Sequence, residues 1–345
     1  MGLKIKDIIV KEEISIKDLS GKVLAIDSMN LLYQFLTTIR QADGKVFTNS
    51  KGVVTSHLIG LFNRTTSLMD QGLKLVFIFD GKAPDIKLKT WEKRTAIKKE
   101  ASLRLEKAEE AGDVGEMRKF AARTAKLDKD MIEDAKKIIK VLGLPVIQAP
   151  SEGEAQTAYI VKKGNAYASI SQDYDNLIFG CPLLIRNLSI EGKRKRAGKF
   201  AYQIVKPEMI KLKDVLDELK INHDQLIVLA ILVGTDYNPD GIKGIGQKKA
   251  LKLLQEFGMN FDKIFEEVKW KDNYPDLEWK EVFNTIKNMK VTDDYKLEWK
   301  PIDEKKALNL LVEEYEFHEE RVKKKIDLLC KQKEKMCQKG LSSFF

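Results

Sequence analysis

The 345-residue chain is poor in the residues that several common chemistries need. It has three cysteines, Cys181, Cys330 and Cys337, and no C-x-x-C pair. An odd, unpaired set argues against a disulfide scaffold or a thiolate metal site and suits a reducing, intracellular compartment. The three histidines are scattered, and no Ser-His-Asp or Cys-His combination stands out. Any metal must therefore use oxygen ligands, which suit hard ions such as magnesium or manganese. No apolar run reaches the roughly 18 residues needed to span a bilayer, so no membrane partner is expected. The N-terminal stretch MGLKIKDIIV is too charged for a secretory signal. Gly2 suits myristoylation, but Lys6 stands where that motif wants Ser or Thr.

Charge and apolar residues are plentiful. Of the chain, 43% is hydrophobic, enough to bury a sizeable core, and the length suits roughly one to three domains. The net charge is +9 with 33% charged residues, which favours a polyanionic partner. A generally charged soluble chain would show the same balance.

The stretches 22–27 (KVLAID), 73–80 (LKLVFIFD), 165–173 (NAYASISQD) and 182–190 (PLLIRNLSI) read as strands, with helical patterns such as SHLIGLFNRTTSLMD and IEDAKKIIKVLGL between them. The alternation predicts an α/β fold with a mainly parallel central sheet flanked by helices. Ligands of such sheets gather at the carboxyl ends of the strands, where Asp27, Asp80 and Asp173 fall. Residues 82–130 are charged and helix-forming with a break at AGDVG, and read as a helical hairpin beside that acidic edge. Residues 222–260 read as an apolar helix, a loop and a second helix. Residues 270–300, with three tryptophans, read as irregular, and 304–336 as one or two charged helices.

The acids are the main chemical signal. PSEGEAQTAY places Glu152 and Glu154 two apart, and SQDYDN does the same with Asp173 and Asp175. Ser151 could cap the helix that begins there, but a cap accounts for only one nearby acid. With Asp27, Asp80 and Asp236, seven carboxylates are candidates for one cleft. Crowded carboxylates repel, and divalent cations remove that conflict. Two such ions about 4 Å apart can stabilise both the attacking and leaving oxygens of a phosphoryl displacement. In IKGIGQKKA, Gly244 and Gly246 permit a tight turn, Ile242 and Ile245 anchor it, and Lys243, Lys248 and Lys249 add charge. The helix start that follows suits a phosphate. A glycine-capped turn between packed helices is the plainer reading.

IDSMNLLYQFL, FIFDGKAPDIK, APSEGEAQTAY, SQDYDNLIFG and GTDYN through GIKGIGQKKA occur in that order, and the chain resembles the flap endonucleases, structure-specific 5′ nucleases of the XPG/Rad2-like family. The resemblance covers nearly the whole chain and implies a nuclease core over 1–330 with a helical arch (82–130) and a helix-hairpin-helix (222–260), then a flexible tail over 331–345. It implies two magnesium ions, replaceable by manganese, on Asp27, Asp80, Glu152, Glu154, Asp173, Asp175 and Asp236, with the first four mainly around one ion and the last three around the other. It implies that Lys87 and Arg94, two turns apart on one arch face, steer the scissile phosphate. A solvated charged stripe is the plainer reading of that pair. Tyr33 would stack on a base, although by pattern alone it reads as a core aromatic. Arg40 and Arg64 fall where the family holds bent duplex and a short 3′ flap. The hairpin residues Lys243, Gly244, Gly246, Lys248 and Lys249 would grip the DNA backbone, with a potassium ion there as a further expectation. The run GKRKRAGK (192–199) matches no family motif and reads as a solvated loop.

The tail QKGLSSFF fits the sliding-clamp motif through Gln338, Leu341, Phe344 and Phe345. A partner pocket gives exposed paired aromatics a reason. Eukaryotic members usually continue with a basic tail, so an archaeal type acting in cytoplasm and nucleoid is expected. The resemblance further implies a monomer that removes 5′ flaps from branched DNA in Okazaki-fragment maturation and long-patch base excision repair, with an accompanying 5′–3′ exonuclease activity. A relative that cuts bubbles or acts as a 5′ exonuclease, and a silent clamp-linked DNA scaffold, are the alternatives. The compact arch favours the flap enzyme, and the complete acidic set argues against a scaffold, because unneeded carboxylates would repel DNA.

Overall fold

The computed structural model describes residues 3–190, 192–195 and 202–342, and leaves the side chains of 88–94, 118, 190, 192–195, 202–204 and 332–342 undescribed. The strands are β1 (Glu12–Glu13), β2 (Val23–Asp27), β3 (Lys74–Phe79), β4 (Val146–Gln148), β5 (Ala168–Ile170), β6 (Leu183–Arg186), β7 (Gly192–Lys195), β8 (Tyr202–Val205) and β9 (Glu208–Lys211). Seven of them form one sheet in the order β1-β9-β6-β5-β2-β3-β4. β4, β3, β2, β5 and β6 run parallel, while β9 and β1 add antiparallel at one edge. β7 and β8 form a separate hairpin, so the first four residues of the 192–199 run are strand, and 196–199 lie outside the described residues.

The helices are α1 (Ser28–Thr38), α2 (Ser56–Asp70), α3 (Leu88–Glu110), α4 (Val114–Arg123), α5 (Lys129–Val141), α6 (Gly153–Lys162), α7 (Asp175–Ile178), α8 (Leu212–Leu219), α9 (His223–Val233), α10 (Gln247–Phe257), α11 (Phe261–Glu267), α12 (Trp270–Asn273), α13 (Trp279–Lys287), α14 (Glu304–Leu308) and α15 (Glu319–Ser342). Alternate residues of the central strands point into two cores. Ala25, Val76 and Ile78 join the helices α6, α9 and α10 on one face, and Leu24, Ile26, Leu75 and Phe77 join α1, α2 and α5 on the other. Burial on both faces is why these strands read as unbroken apolar runs.

The structure departs from the sequence reading at 270–300. Trp279–Lys287 is helical there, with Val282 and Ile286 buried one turn apart and Trp279 stacked on Phe265 at 4.4 Å between ring centroids. Tryptophans and a proline hid that period. At the other end, α15 crosses the 330/331 boundary and runs to Ser342, so the backbone at Gln338 and Leu341 is helical. Lysine, glutamate, glutamine and methionine there are good helix formers. Phe344 and Phe345 lie outside the described residues. The 82–130 segment is two helices, α3 and α4, broken at AGDVG, where the Asp113 side chain caps α4 by accepting from the amides of Gly115 and Glu116. Among the described residues, no helix is long and apolar enough to cross a membrane.

Candidate metal centre and nucleic-acid interface

Asp27 is the last residue of β2, Asp80 follows β3, and Asp173 lies just past β5. These three strands are parallel neighbours, so their acids meet at one sheet edge. Asp27, only 4% exposed, also caps α1, accepting from the Asn30 amide at 3.2 Å. The turn into α7 sets Asp175 beside Asp173, and the loop after α9 brings in Asp236.

The glycine between Glu152 and Glu154 has a structural reason. The Gly153 amide opens α6 and donates to Asp80 Oδ1 at 2.7 Å. A Cβ at Gly153 would lie 2.6 Å from that oxygen. Ser151 is therefore not the cap that its position suggests. Its hydroxyl donates to the Lys82 carbonyl, and Glu152 occupies the N-cap position with no side-chain cap bond. The helix dipole and its free amide face Asp80 instead.

Oxygens of Glu154, Asp173 and Asp175 all lie within 4.8 Å of one another. Proximity thus crosses the four-plus-three division, with Glu154 beside Asp173 and Asp175. Burial, then the Asp80 and Asp173 charges, push the Asp27 carboxyl up to about 7. Burial and Glu152 raise Asp80 to about 6, and burial, Asp173 and Asp236 raise Asp175 to about 8. Glu154 is raised well above its ordinary value by burial and Asp175, and Asp173 is raised chiefly by burial. Stored repulsion of this kind marks a site built for cations. Glu152 Oε1, buried without a hydrogen-bond partner among the described residues, suits a metal-ligating oxygen too. Lys87 lies in the same cleft, with Nζ 2.8 Å from Glu152 and 3.2 Å from Asp236. Burial opposes its charge, but Glu152 and Asp236 more than compensate and raise its pKa.

Lys87 therefore joins the acids. Arg94 follows on α3, and its side chain lies outside the described residues. Tyr33 is not a core aromatic. It is 39% exposed, and Lys98 of α3 sits 5.6 Å from its ring centroid. Arg40 donates to the Gly44 carbonyl at 2.9 Å, within the loop after α1, and Arg64 donates to the Leu188 carbonyl. Both guanidiniums are thus engaged within the protein. Lys243, Gly244, Gly246, Lys248 and Lys249 are all exposed, Gly244 has φ +79°, and Gly246 leaves α10 without a side-chain cap. Ile242 is the buried anchor.

Four supporting groups escaped the sequence reading. Asn30 Nδ2 donates to Asp173 Oδ2 at 2.7 Å, Ser171 donates to Asp27 Oδ2 at 3.2 Å, and the Leu3 amide donates to Asp175 Oδ1 at 3.1 Å. Tyr237, 4% exposed, lies under the Lys87 ammonium at 5.9 Å. Only Tyr237, next to Asp236 in the chain, carried a local signal.

An acidic cleft at the carboxyl edge of a parallel sheet, with a basic helical hairpin rising beside it, defines the class of metal-dependent phosphodiester-cleaving enzymes. The comparisons narrow it. The XPG N-terminal domain matches residues 2–101 and the XPG I-region matches 143–236. Flap endonuclease 1 of Staphylothermus marinus is 49% identical over 352 aligned positions, covering 100% of both chains. Flap endonuclease 1 of Pyrococcus furiosus is 48% identical over all of this chain and 99% of its own. The solved flap endonuclease-1 of Methanococcus jannaschii superposes with a TM-score of 0.74 at 40% identity, covering 96% of this chain and 98% of that one. The catalytic core of Rad2 in complex with DNA substrate shares the fold at 22% identity, with a TM-score of 0.69, covering 95% of this chain and 100% of that one. The chain belongs to the flap endonuclease family of XPG-type nucleases.

Proposed function

We propose that this chain is a metal-dependent nuclease that cuts branched DNA at the base of a 5′ flap. The observation that carries the reading is the convergence of Asp27, Asp80, Glu152, Glu154, Asp173, Asp175 and Asp236 on one sheet edge, with Lys87 among them. These seven acids would hold two magnesium ions, or manganese in their place. Bound there, such ions supply a water of lowered pKa and neutralise charge developing on the phosphate.

The protein's own groups do the rest. The Gly153 amide, Asn30 and Ser171 hold Asp80, Asp173 and Asp27 in fixed orientations. The Lys87 ammonium, drawn in by Glu152 and Asp236, stands where it orients a phosphate and stabilises its charge. Arg94 extends that charge along α3. Tyr33, exposed on α1, offers a ring face to a base. The hairpin of Gly244 and Gly246, with Lys243, Lys248 and Lys249, binds the duplex backbone without reading sequence, with a potassium ion as its partner. Arg40 and Arg64 support the loop and sheet edge that border the bent duplex. Gln338, Leu341, Phe344 and Phe345 dock a sliding clamp, and the enzyme works as a monomer in flap removal during replication and repair.

Asp175→Asn or Asp80→Asn tests the assignment. Either should abolish flap cleavage while leaving flap binding in calcium largely intact. Residual cleavage with lost binding would place these acids in substrate contact rather than in the metal centre.

A further inference from the structure

The chain between α9 and α10 joins the two halves of the proposed function. Asp236 lies near its start and the lysine hairpin at its end. The limb between them is folded tightly on itself. Asn238, fully buried, accepts from the Thr235 hydroxyl at 2.6 Å and donates to the Ile231 carbonyl at 2.7 Å. The Tyr237 amide donates to Thr235 Oγ1 at 3.1 Å, and the Ile242 amide reaches back to Leu232 at 2.9 Å.

Two glycines let the limb close. Gly234 (φ +110°) and Gly241 (φ +60°) touch back to back. A Cβ on Gly234 would lie 2.6 Å from the Gly241 nitrogen, and one on Gly241 would lie 2.3 Å from the Val233 carbonyl carbon. No side chain cushions the contact, so a shift at Gly241 is passed to Gly234, two residues before Asp236.

One side chain from outside the limb holds this point. The Tyr274 hydroxyl lies 2.6 Å from the Pro239 carbonyl and 3.1 Å from the Gly241 carbonyl, so its single proton serves both. Its ring is fixed by stacking on Trp270 at 4.5 Å between centroids. Trp270 is itself locked, donating Nε1–H to the Leu277 carbonyl at 2.6 Å and meeting Phe265 edge-on at 5.3 Å. The aromatic block of α11–α13 is therefore a rigid post, and the Tyr274 hydroxyl joins it to Pro239 and Gly241.

We infer that Tyr274 is a positioning residue that transmits engagement of duplex at the hairpin to the placement of the Asp236 carboxylate. The inference rests on the proposed nuclease reading. When a duplex pulls on the Lys243–Lys249 turn, the pinned carbonyls keep the limb from yielding, and the Gly234–Gly241 contact holds Asp236 in register. Without the hydroxyl the limb gives, and Asp236 loses its place while the hairpin still binds.

Tyr274→Phe keeps the ring and removes only the hydroxyl. In the full chain, single-turnover cleavage of a double-flap DNA should fall about tenfold, a loss of about 1.4 kcal/mol. The magnesium concentration for half-maximal rate should rise, while affinity for the flap in calcium stays within about twofold. The deciding arm is a double-mutant cycle with Lys248→Ala/Lys249→Ala. If Tyr274 acts through hairpin engagement, Tyr274→Phe should cost little further rate in that background. An equal fold-loss in both backgrounds would mean a merely structural tyrosine and overturn the inference, as would an unchanged rate and magnesium dependence in the single variant. A melting curve in EDTA checks that the variant folds, and Trp270→Phe, which loosens the post without touching the hydroxyl, should give a milder version of the same magnesium shift. If the unaltered protein fails to cut flap DNA, or Asp236→Asn leaves cutting intact, the nuclease reading itself fails and takes this inference with it.

Discussion

Replacing Asp27 by asparagine should make the metal-free protein more stable while destroying its activity. The side chain is 4% exposed and sits between Asp80 and Asp173. Burial and those two charges push it up to about 7 from an ordinary 3.8. Its folded pKa is raised, so its contribution is fully present below the ordinary value and is lost as pH rises through about 7. At pH 8 the folded chain then carries a penalty of roughly 4 kcal/mol for keeping this one group ionised. Asparagine has no such charge. It keeps a carbonyl oxygen for the Asn30 amide and weakens the bond from Ser171, a loss of about 1 kcal/mol. The net gain is roughly 3 kcal/mol, a rise in Tm on the order of 5 °C. The assay is thermal melting in EDTA at pH 8 and again at pH 5. The advantage of Asp27→Asn should shrink as pH falls, because protonation relieves the native protein of the same charge. In saturating magnesium the order should reverse, since the native site gains about 4.1 kcal/mol at a concentration 1,000-fold above Kd. Should Asp27→Asn melt at or below the native protein in EDTA at pH 8, the cluster does not store the repulsion argued here.

Four further outcomes follow from the same structure. Lys248→Ala with Lys249→Ala should weaken flap binding and reduce the salt slope by about two, since each phosphate contact contributes roughly 0.9; titration at several salt concentrations reads it, and an unchanged slope would remove the hairpin from the contact surface. Lys87→Met should lower single-turnover cleavage by roughly 10²–10³ with a small change in affinity, and an equal loss in both would make Lys87 a binding residue only. His57, fully buried and bonded to the Met131 carbonyl at 3.1 Å, is held down to about 4 by burial. Its folded pKa is depressed, so its contribution is present above the ordinary 6.5 and is lost as pH falls toward about 4; in His57→Gln the slope of stability against pH in that window should fall by about one proton, and an unchanged slope would show that the histidine titrates normally. Phe344→Ala with Phe345→Ala should abolish stimulation by a sliding clamp and leave clamp-free cleavage intact, and a loss of clamp-free cleavage would make the tail part of the working fold.

Much of the site was legible because it is built on strands with strong local signals. The reading of 22–27 and 73–80 meets β2 and β3 to within a residue at each end, and SHLIGLFNRTTSLMD is α2 itself. Parallel pairing then does what no local pattern can, setting Asp27, Asp80 and Asp173 at one edge. The misses have physical reasons. β1 and β4 are two and three residues long, too short to carry a period. The helix Trp279–Lys287 was hidden by aromatics whose partners, Phe265 and Phe261, lie in another element. Ser151 looked like a cap because capping is a local rule, whereas the amide it would have served is aligned by Asp80, 73 residues away. Tyr33 looked internal among apolar neighbours, but Leu32, Phe35 and Leu36 define the buried face of α1 and leave it at the edge. The supports from Asn30, Ser171 and the Leu3 amide depend on distant contacts, which only the folded chain supplies.

The central claim is that the acids of one sheet edge form a cation site that cuts flap DNA. The most direct measurement incubates the purified chain with an end-labelled double-flap DNA, in magnesium and in EDTA, beside a blunt duplex of the same sequence. Cleavage at the flap base in magnesium alone, with the blunt duplex left intact, is the predicted result. Binding without cleavage in both magnesium and manganese would contradict it and leave a DNA-binding scaffold.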